Sequence, residues 1–222
     1  MQSGGGEMVR EVRVAAGEVD LPGDLVIPAG ARGLVLFAHG SGSSRQSPRN
    51  RFVSQALQKA GLGTLLLDLL TPEEEARDVY TRELRFDIPL LARRLIGATD
   101  WLLQNPETAP LALGYFGAST GAAAALIAAS ERPQAVGALV SRGGRPDLAM
   151  AVLSRVEAPT LLLVGGYDLE VLTMNRAAAE RLGELGEVVV IPGATHLFEE
   201  PGTLEAVSRL AAAWFVRYLS AA

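Results

Sequence analysis

The sequence predicts an α/β domain built around a mostly parallel β-sheet. Short, wholly apolar runs such as residues 33–38 and 63–70 alternate with longer amphipathic segments. Strands that helices cover on both faces have this apolar character, and strand–helix alternation is typical of parallel sheets. The chain has 222 residues, of which 49% are hydrophobic and 20% charged, so its composition excludes a disordered protein.

The individual elements follow from the same alternation. Residues 9–14 and 19–27 predict an opening hairpin, with a turn where residues 21–24 (LPGD) interrupt the second run. Buried strands are expected at 33–38, 63–70, 111–116, 136–141, 160–164 and 188–191. Helices are expected at 48–60, 85–104, 122–129, 175–185 and 204–219. Ser47 and Pro48 are the N-cap and first residue of the first helix.

One domain accounts for residues 8–222, and the Gly/Ser-rich residues 1–7 predict a disordered tail. The absence of cysteine excludes thiol nucleophiles, disulfides and Cys-ligated zinc, and two histidines argue against a multi-histidine metal site. A net charge of −5 argues against nucleic-acid binding. No apolar run reaches the length of a membrane span. We therefore expect a cytoplasmic monomer or homodimer without metal or cofactor, and with neither membrane nor nucleic-acid partners.

The sharpest chemical signal is the pentapeptide 117–121 (GASTG), which follows a buried strand and opens an Ala-rich helix. This is the context of the G-x-S-x-G nucleophile elbow, in which a tight turn exposes the serine hydroxyl at a helix N-terminus. Ser119 is therefore the predicted nucleophile. The alternative is a Gly/Ser loop that merely packs a strand against a helix.

A serine needs a base, and the base needs a carboxylate that orients it. His196 lies on the loop after the last predicted strand, and Asp168 follows the strand 160–164, so both meet Ser119 at the carboxyl edge of the sheet. The rivals are His39 for the base and Asp147 for the carboxylate, although Asp147 fits better as a helix N-cap.

Backbone amides complete the predicted site. The N–H of Thr120, directly after the nucleophile, is one oxyanion donor, and Ser41 or, second, Gly42 supplies the other from a Gly/Ser-rich loop. The candidate substrate contacts are His39, which we also expect to brace that loop, Arg142 and Tyr167. Arg142 and Arg145 either hold an anionic substrate group or, as we favour, form ion pairs with Asp147 or another loop carboxylate.

Four segments carry a resemblance to a known family: 39–44 (HGSGSS), 116–121 (FGASTG), 165–168 (GGYD) and 193–198 (GATHLF). Between about residues 33 and 219, the chain resembles an α/β-hydrolase and is similar to the dienelactone hydrolase family. The resemblance implies an α/β-hydrolase fold without a large lid domain, with Ser119 as nucleophile, Asp168 as acid and His196 as base. Dienelactone hydrolases proper use a cysteine nucleophile where this chain has Ser119, so dienelactone is not carried over as the substrate.

These observations predict a serine hydrolase that cleaves small-molecule carboxylic esters with small or short acyl groups through an acyl-enzyme. Four alternatives use the same fold. The same triad serves a thioesterase or a lactone or peptide hydrolase, and the fold also serves non-catalytic binding modules.

Overall fold

The computed structural model describes residues 9–219 and has an eight-stranded central sheet. The strands are β1 (Arg10–Ala16), β2 (Val19–Val26), β3 (Gly33–Ala38), β4 (Gly63–Leu67), β5 (Ala112–Ala118), β6 (Val136–Arg142), β7 (Thr160–Gly165) and β8 (Gly186–Ile191). Their order is β1-β2-β4-β3-β5-β6-β7-β8, with β1 and β2 antiparallel to their neighbours and all other pairs parallel. The predicted mostly parallel sheet is confirmed. The predicted tail at residues 1–7 lies outside the described residues.

Helices cover both faces of the sheet. They are α1 (Pro48–Lys59), α2 (Pro72–Thr81), α3 (Ile88–Gln104), α4 (Thr120–Glu131), α5 (Leu169–Leu182) and α6 (Thr203–Leu219). α1 and α6 pack with Phe37 and Phe116 on one face, and α3, α4 and α5 pack with Leu36 and Tyr115 on the other. Short 3₁₀ segments at Leu84–Phe86, Pro146–Ala149, Leu153–Arg155 and Gly183–Leu185 complete the connections.

The structure corrects the predicted position of the hairpin turn. Strand β2 is continuous through Pro22, and the hairpin turns instead at Gly17, whose φ is +74°. Pro22 lies one residue beyond the register that pairs β2 with β4, and its carbonyl accepts the Asp68 N–H (3.0 Å). A proline is tolerated at the end of a ladder, where its missing N–H costs least.

Helix α2 was not predicted, because its acidic first turn suggests only a solvated surface. Thr71 forms a capping box: its side chain accepts the Glu74 N–H (3.2 Å), and the Glu74 carboxylate accepts the Thr71 N–H (2.8 Å). Two helices also start earlier than predicted: α4 begins at Thr120 rather than at residue 122, and α5 at Leu169 rather than at residue 175.

Within residues 9–219, no lid domain covers the carboxyl edge of the sheet. The connection between β6 and β7 holds only two 3₁₀ segments, so the loops after β3, β5, β7 and β8 meet at one open edge. Among residues 9–219, no helix combines the length and the apolarity that crossing a bilayer requires.

Gly97 shows how closely α3 approaches the opening hairpin. A Cβ atom at this position would lie 2.6 Å from the Ala16 Cα and 2.8 Å from the Ala16 carbonyl carbon. Backbone atoms cannot move aside as a side-chain end can, so α3 needs a glycine at this crossing.

Gly97→Ala is therefore expected to destabilise the fold by about 1–3 kcal/mol through overpacking, although alanine favours helices by about 1 kcal/mol. Urea unfolding measures the change. Arg93→Ala, at an exposed position of the same helix, is the control and is expected to stay within about 0.5 kcal/mol of wild type. A Gly97→Ala protein as stable as wild type would contradict the close packing.

Candidate active site

Ser119 occupies a sharp turn between β5 and α4. Its φ of +50° and ψ of −122° lie in a region that non-glycine residues rarely adopt. Its N–H donates to the Arg142 carbonyl oxygen (3.2 Å), and its own carbonyl accepts the Arg145 N–H (3.2 Å). These bonds to the end of β6 and the turn after it hold the strained backbone in place.

The glycines on either side of Ser119 are required by close backbone approach. A Cβ at Gly117 would lie 2.4 Å from the Ala122 Cα, and one at Gly121 would lie 2.3 Å from the Ala38 carbonyl oxygen. The strand–turn–helix context predicted for the pentapeptide is therefore present. Both glycines are needed because a side chain at either position would collide with neighbouring backbone atoms.

Asp168 and His196 meet at the same edge of the sheet. Asp168 follows β7, His196 lies on the loop after β8, and His196 Nδ1 is 2.6 Å from Asp168 Oδ2. The carboxylate is largely buried and the imidazole is more accessible, with side-chain exposures of 16% and 39%. A His that donates from Nδ1 to a carboxylate presents Nε2 as its basic atom.

A cavity of about 230 Å³ is shared by two of the three predicted triad residues. Ser119 and His196 line it, with Gly40 and Ser41 from the loop after β3 and with Leu197. The rival carboxylate Asp147 binds the Arg145 guanidinium through both oxygens instead (2.8 and 2.7 Å). The ion pair expected for Arg145 is thus present.

Hydrogen bonds from His39 hold the loop after β3 in place, as expected from the sequence. The imidazole is 8% exposed, and its Nε2 accepts the Leu69 N–H (3.1 Å). This bond leaves the ring proton on Nδ1, which donates to the Gly40 carbonyl (2.9 Å). Burial lowers the pKa of His39 below its ordinary value, opposed by the bond to Gly40.

Arg45 anchors the far end of this loop. Its backbone N–H and its Nε donate to the two oxygens of Asp68 (2.7 and 3.0 Å), and its Nη1 donates to Asp24 (2.7 Å). The loop is therefore held at both ends by bonds to the segment that follows β4 and to β2.

The two predicted oxyanion donors lie side by side. Thr120 is the first residue of α4, so its N–H is among the amides that an α-helix leaves without an internal acceptor. The Ser41 N–H donates to the Thr120 hydroxyl oxygen (2.9 Å). Gly42, the second choice, has φ +70° and lines neighbouring cavities rather than the one containing Ser119.

Arg142 is at the end of β6, next to Ala118 in the sheet, and its side chain is buried against the Phe116 ring at 5.9 Å from the centroid. It lines the cavity that contains Ser119. Its Nη1 is buried without a hydrogen-bond partner among residues 9–219. Burial and, second, the charge of Arg49 lower the pKa of Arg142 to about 10, so the guanidinium stays charged at neutral pH. The ion pair that we favoured for Arg142 is not formed within these residues.

The two remaining candidate substrate contacts, Tyr167 and His39, lie outside the lining of the cavity with Ser119. Tyr167 is 72% exposed, and only its backbone N–H is anchored, by the Ala194 carbonyl (3.0 Å). His39 lines the two neighbouring cavities and not the cavity with Ser119. No group of three or more His, Asp or Glu side chains suited to a metal ion occurs in the described part of the chain.

Sequence reasoning did not single out Arg49. It lines the cavity with Ser119, its Nη1 is 3.2 Å from Glu199, and its Nε is buried without a partner within residues 9–219. No local pattern identifies it, because the contact joins α1 to the loop that carries His196.

His39 makes folding stability depend on pH. Its pKa is lower in the folded protein than its ordinary value of 6.5, so the unfolded chain binds the proton more readily. The stabilisation is therefore complete above about pH 6.5 and is lost as the pH falls toward the folded pKa, by up to about 1.4 kcal/mol per unit. Urea unfolding of wild type and His39→Asn between pH 8 and 5 is expected to show a steeper loss for wild type. An NMR titration that places the pKa of His39 at or above 6.5 would contradict this.

Comparisons with known proteins bear on this site. No protein-family model matches the chain. Two Mycobacterium tuberculosis proteins, curated provisionally as phosphoribosyl transferases, are 57% identical over 209 residues, which is 94% of this chain but 46% of their own length. The chain thus spans about half the length of these curated relatives.

The solved structures agree on the fold. An esterase from Pyrococcus furiosus superimposes with a TM-score of 0.76 at 17% identity, covering 96% of this chain and 92% of its own. A dienelactone hydrolase from Anabaena variabilis superimposes with a TM-score of 0.95 and is 64% identical, covering 96% of this chain and 99% of its own. With this identity over nearly the whole of both chains, the chain belongs to the dienelactone hydrolase family of α/β-hydrolases.

Proposed function

We propose that the protein is a serine hydrolase that cleaves small carboxylic esters. The observation that carries the proposal is the 2.6 Å contact between His196 Nδ1 and Asp168, beside a cavity that Ser119 and His196 share. A carboxylate-oriented imidazole next to an elbow serine is the arrangement that activates a hydroxyl for acyl transfer.

The proposed reaction has two halves. Ser119 Oγ attacks the ester carbonyl carbon while His196 Nε2 takes the hydroxyl proton, and Asp168 stabilises the imidazolium that results. The tetrahedral intermediate collapses, the C–O bond to the alcohol breaks, and His196 returns the proton to the leaving oxygen. Water then attacks the acyl-enzyme with the same base, which releases the acid and restores Ser119.

The N–H groups of Thr120 and Ser41 are the proposed oxyanion donors. Their placement beside Ser119 supports this role, and the position of Gly42 along other cavities favours Ser41 as the second donor. The Ser41 N–H is engaged by the Thr120 hydroxyl (2.9 Å). The developing oxyanion must therefore displace or share this acceptor, and its negative charge makes it the stronger one.

The size of the cavity supports small or short-chain substrates. About 230 Å³ lies below the ~300–1,000 Å³ that is typical of pockets for drug-sized ligands. A thioesterase or a lactone or peptide hydrolase would use the same residues, and competition between oxygen esters, thioesters and peptides for one site distinguishes them. A non-catalytic binding module would keep the fold without turnover.

The name of the mycobacterial relatives suggests a different reaction. More than half of their length lies outside the match to this chain. We propose that phosphoribosyl transfer, where it occurs in those proteins, belongs to the unmatched part. The strained elbow at Ser119 and the His–carboxylate pair described above are features of acyl transfer and support hydrolysis here.

Replacing Ser119 by alanine removes the proposed nucleophile. Ser119→Ala is expected to lower kcat for p-nitrophenyl acetate and butyrate by at least about 10³-fold and to abolish labelling by a fluorophosphonate probe. Ser154→Ala, at an exposed position far along the chain, is the control. Equal labelling of wild type and Ser119→Ala would rule out Ser119 as the nucleophile, and an unlabelled wild type would favour the binding-module alternative.

The two candidate carboxylates can be compared directly. Asp168→Asn is expected to lower kcat by about 10²–10⁴-fold, because the amide favours the wrong imidazole tautomer. Asp147→Asn removes only the ion pair with Arg145 and is expected to keep kcat within a few-fold of wild type. Steady-state kinetics on p-nitrophenyl butyrate measures both, and the reverse order of effects would assign the role to Asp147.

A further inference from the structure

His196, the proposed base, lies on a short turn and not on a helix or strand. The Phe198 N–H donates to the Thr195 carbonyl (3.3 Å), which closes a four-residue turn with His196 at its second position. Within residues 9–219, neither the N–H nor the carbonyl of His196 forms a hydrogen bond. The contact of its Nδ1 with Asp168 is the one polar anchor among these residues, so the position of the ring also depends on the residues that flank it.

The two ends of this turn are held in different ways. The end after His196 is held by packing, because the Phe198 side chain is buried in the core. The end before it is Thr195, which is exposed, although the preceding Ala194 is buried and its carbonyl accepts the Tyr167 N–H (3.0 Å). Apolar packing therefore does not fix Thr195, and its position depends on polar contacts.

The Glu200 carboxylate supplies those contacts. One of its oxygens accepts the Thr195 hydroxyl (2.6 Å), and the other accepts the Thr195 N–H (3.1 Å). The bond from the hydroxyl and, second, the bond from the N–H lower the pKa of Glu200 below its ordinary value, so the carboxylate is charged at neutral pH. Hydrogen bonds to a charged acceptor are stronger than those to a neutral one. Glu200 therefore fixes the end of the turn that precedes His196.

The backbone of Glu200 has a separate role. Its carbonyl accepts the N–H and the hydroxyl of Thr203, the first residue of α6 (3.1 and 2.7 Å). The carboxylate takes no part in these bonds, and its own bonds go to Thr195. Replacing the Glu200 side chain therefore leaves the start of α6 in place and releases only the turn that carries His196.

We propose that Glu200 is a positioning residue for His196 and acts through its two bonds to Thr195. The proposal rests on the ester hydrolysis proposed at Ser119, in which His196 Nε2 takes a proton and returns it. Proton transfer requires the two heavy atoms to be within hydrogen-bond distance, and a displacement of about 1 Å can lower a rate about 100-fold. Fixing Thr195 restricts the adjacent imidazole to the position in which its Nδ1 meets Asp168.

Removing either partner of the contact tests its effect on turnover. Glu200→Ala is expected to lower kcat for p-nitrophenyl butyrate by about 10- to 100-fold, with KM within about twofold of wild type because substrate binding is retained. Thr195→Val removes the hydroxyl but keeps the N–H, so a smaller loss of kcat is expected. The double variant is expected to lose no more than Glu200→Ala alone, because both changes act through one contact.

Two further variants are the controls. Thr195→Ser keeps the hydroxyl and is expected to keep kcat within about threefold of wild type. Glu205→Ala removes an exposed carboxylate from the first turn of α6 and is expected to keep both kcat and KM. Urea unfolding gives the folded fraction of each variant under assay conditions.

The imidazole can also be observed without substrate. A proton held between His196 Nδ1 and Asp168 gives a strongly downfield proton NMR signal, which its loss in Asp168→Asn assigns. Glu200→Ala is expected to broaden or remove this signal, whereas Glu205→Ala is expected to retain it. A role of Glu200 in stability alone would leave the signal of the folded protein unchanged.

The outcomes separate the two proposals. The positioning role is wrong, and ester hydrolysis stands, if Glu200→Ala keeps kcat within about twofold of wild type or retains the wild-type signal. It is also wrong if the lower kcat of Glu200→Ala only follows a smaller folded fraction. If wild type neither hydrolyses the ester nor reacts with fluorophosphonate, the proposed function itself fails, and the NMR signal alone decides whether Glu200 positions His196.

Discussion

The close backbone contact between β5, α4 and the end of β3 is the constraint on which the site depends. Gly117 lets α4 begin within one residue of the strand, and Gly121 lets the helix approach the carbonyl oxygens of Ala38 and His39. A side chain at either position would push the helix away. The turn between β5 and α4 is therefore the single residue Ser119, which adopts a strained conformation and has its side chain at the rim of the cavity.

Hydrogen bonds from neighbouring segments hold the strained backbone of Ser119 in its conformation. The Ser119 backbone is bonded to Arg142 and Arg145, so the end of β6 and the turn after it hold the elbow. Buried Asn175 holds that turn in place, because its amide donates to the Gly144 carbonyl (3.0 Å). Gly143 packs against the His196 ring, where a Cβ would lie 3.5 Å from Cε1. One turn therefore contacts both Ser119 and His196.

Charge is distributed unevenly around the site. The loop after β3 is fixed by the ion pairs of Arg45 and by the neutral, buried His39. The cavity next to this loop has two arginines and no carboxylate among its lining residues. The protein thus pairs Arg45 with carboxylates where it supports the fold and, within residues 9–219, gives Arg142 beside Ser119 no carboxylate partner.

Sequence and tertiary structure decided different parts of this protein. The apolar runs determined the parallel sheet, and the glycines around Ser119 determined the elbow, because both depend on neighbours a few residues apart. The meeting of Asp168 with His196 was predictable from strand order alone, since parallel strands end at one edge.

That Arg145 forms an ion pair and Arg142 does not was not predictable from the sequence. The residues near the two arginines are alike, and only burial and distance separate them. Arg49 and Arg142 line one cavity, and the Ser41 N–H donates to the Thr120 hydroxyl oxygen, although each pair is far apart in the chain. Such contacts depend on how complete elements pack, and no local pattern records them.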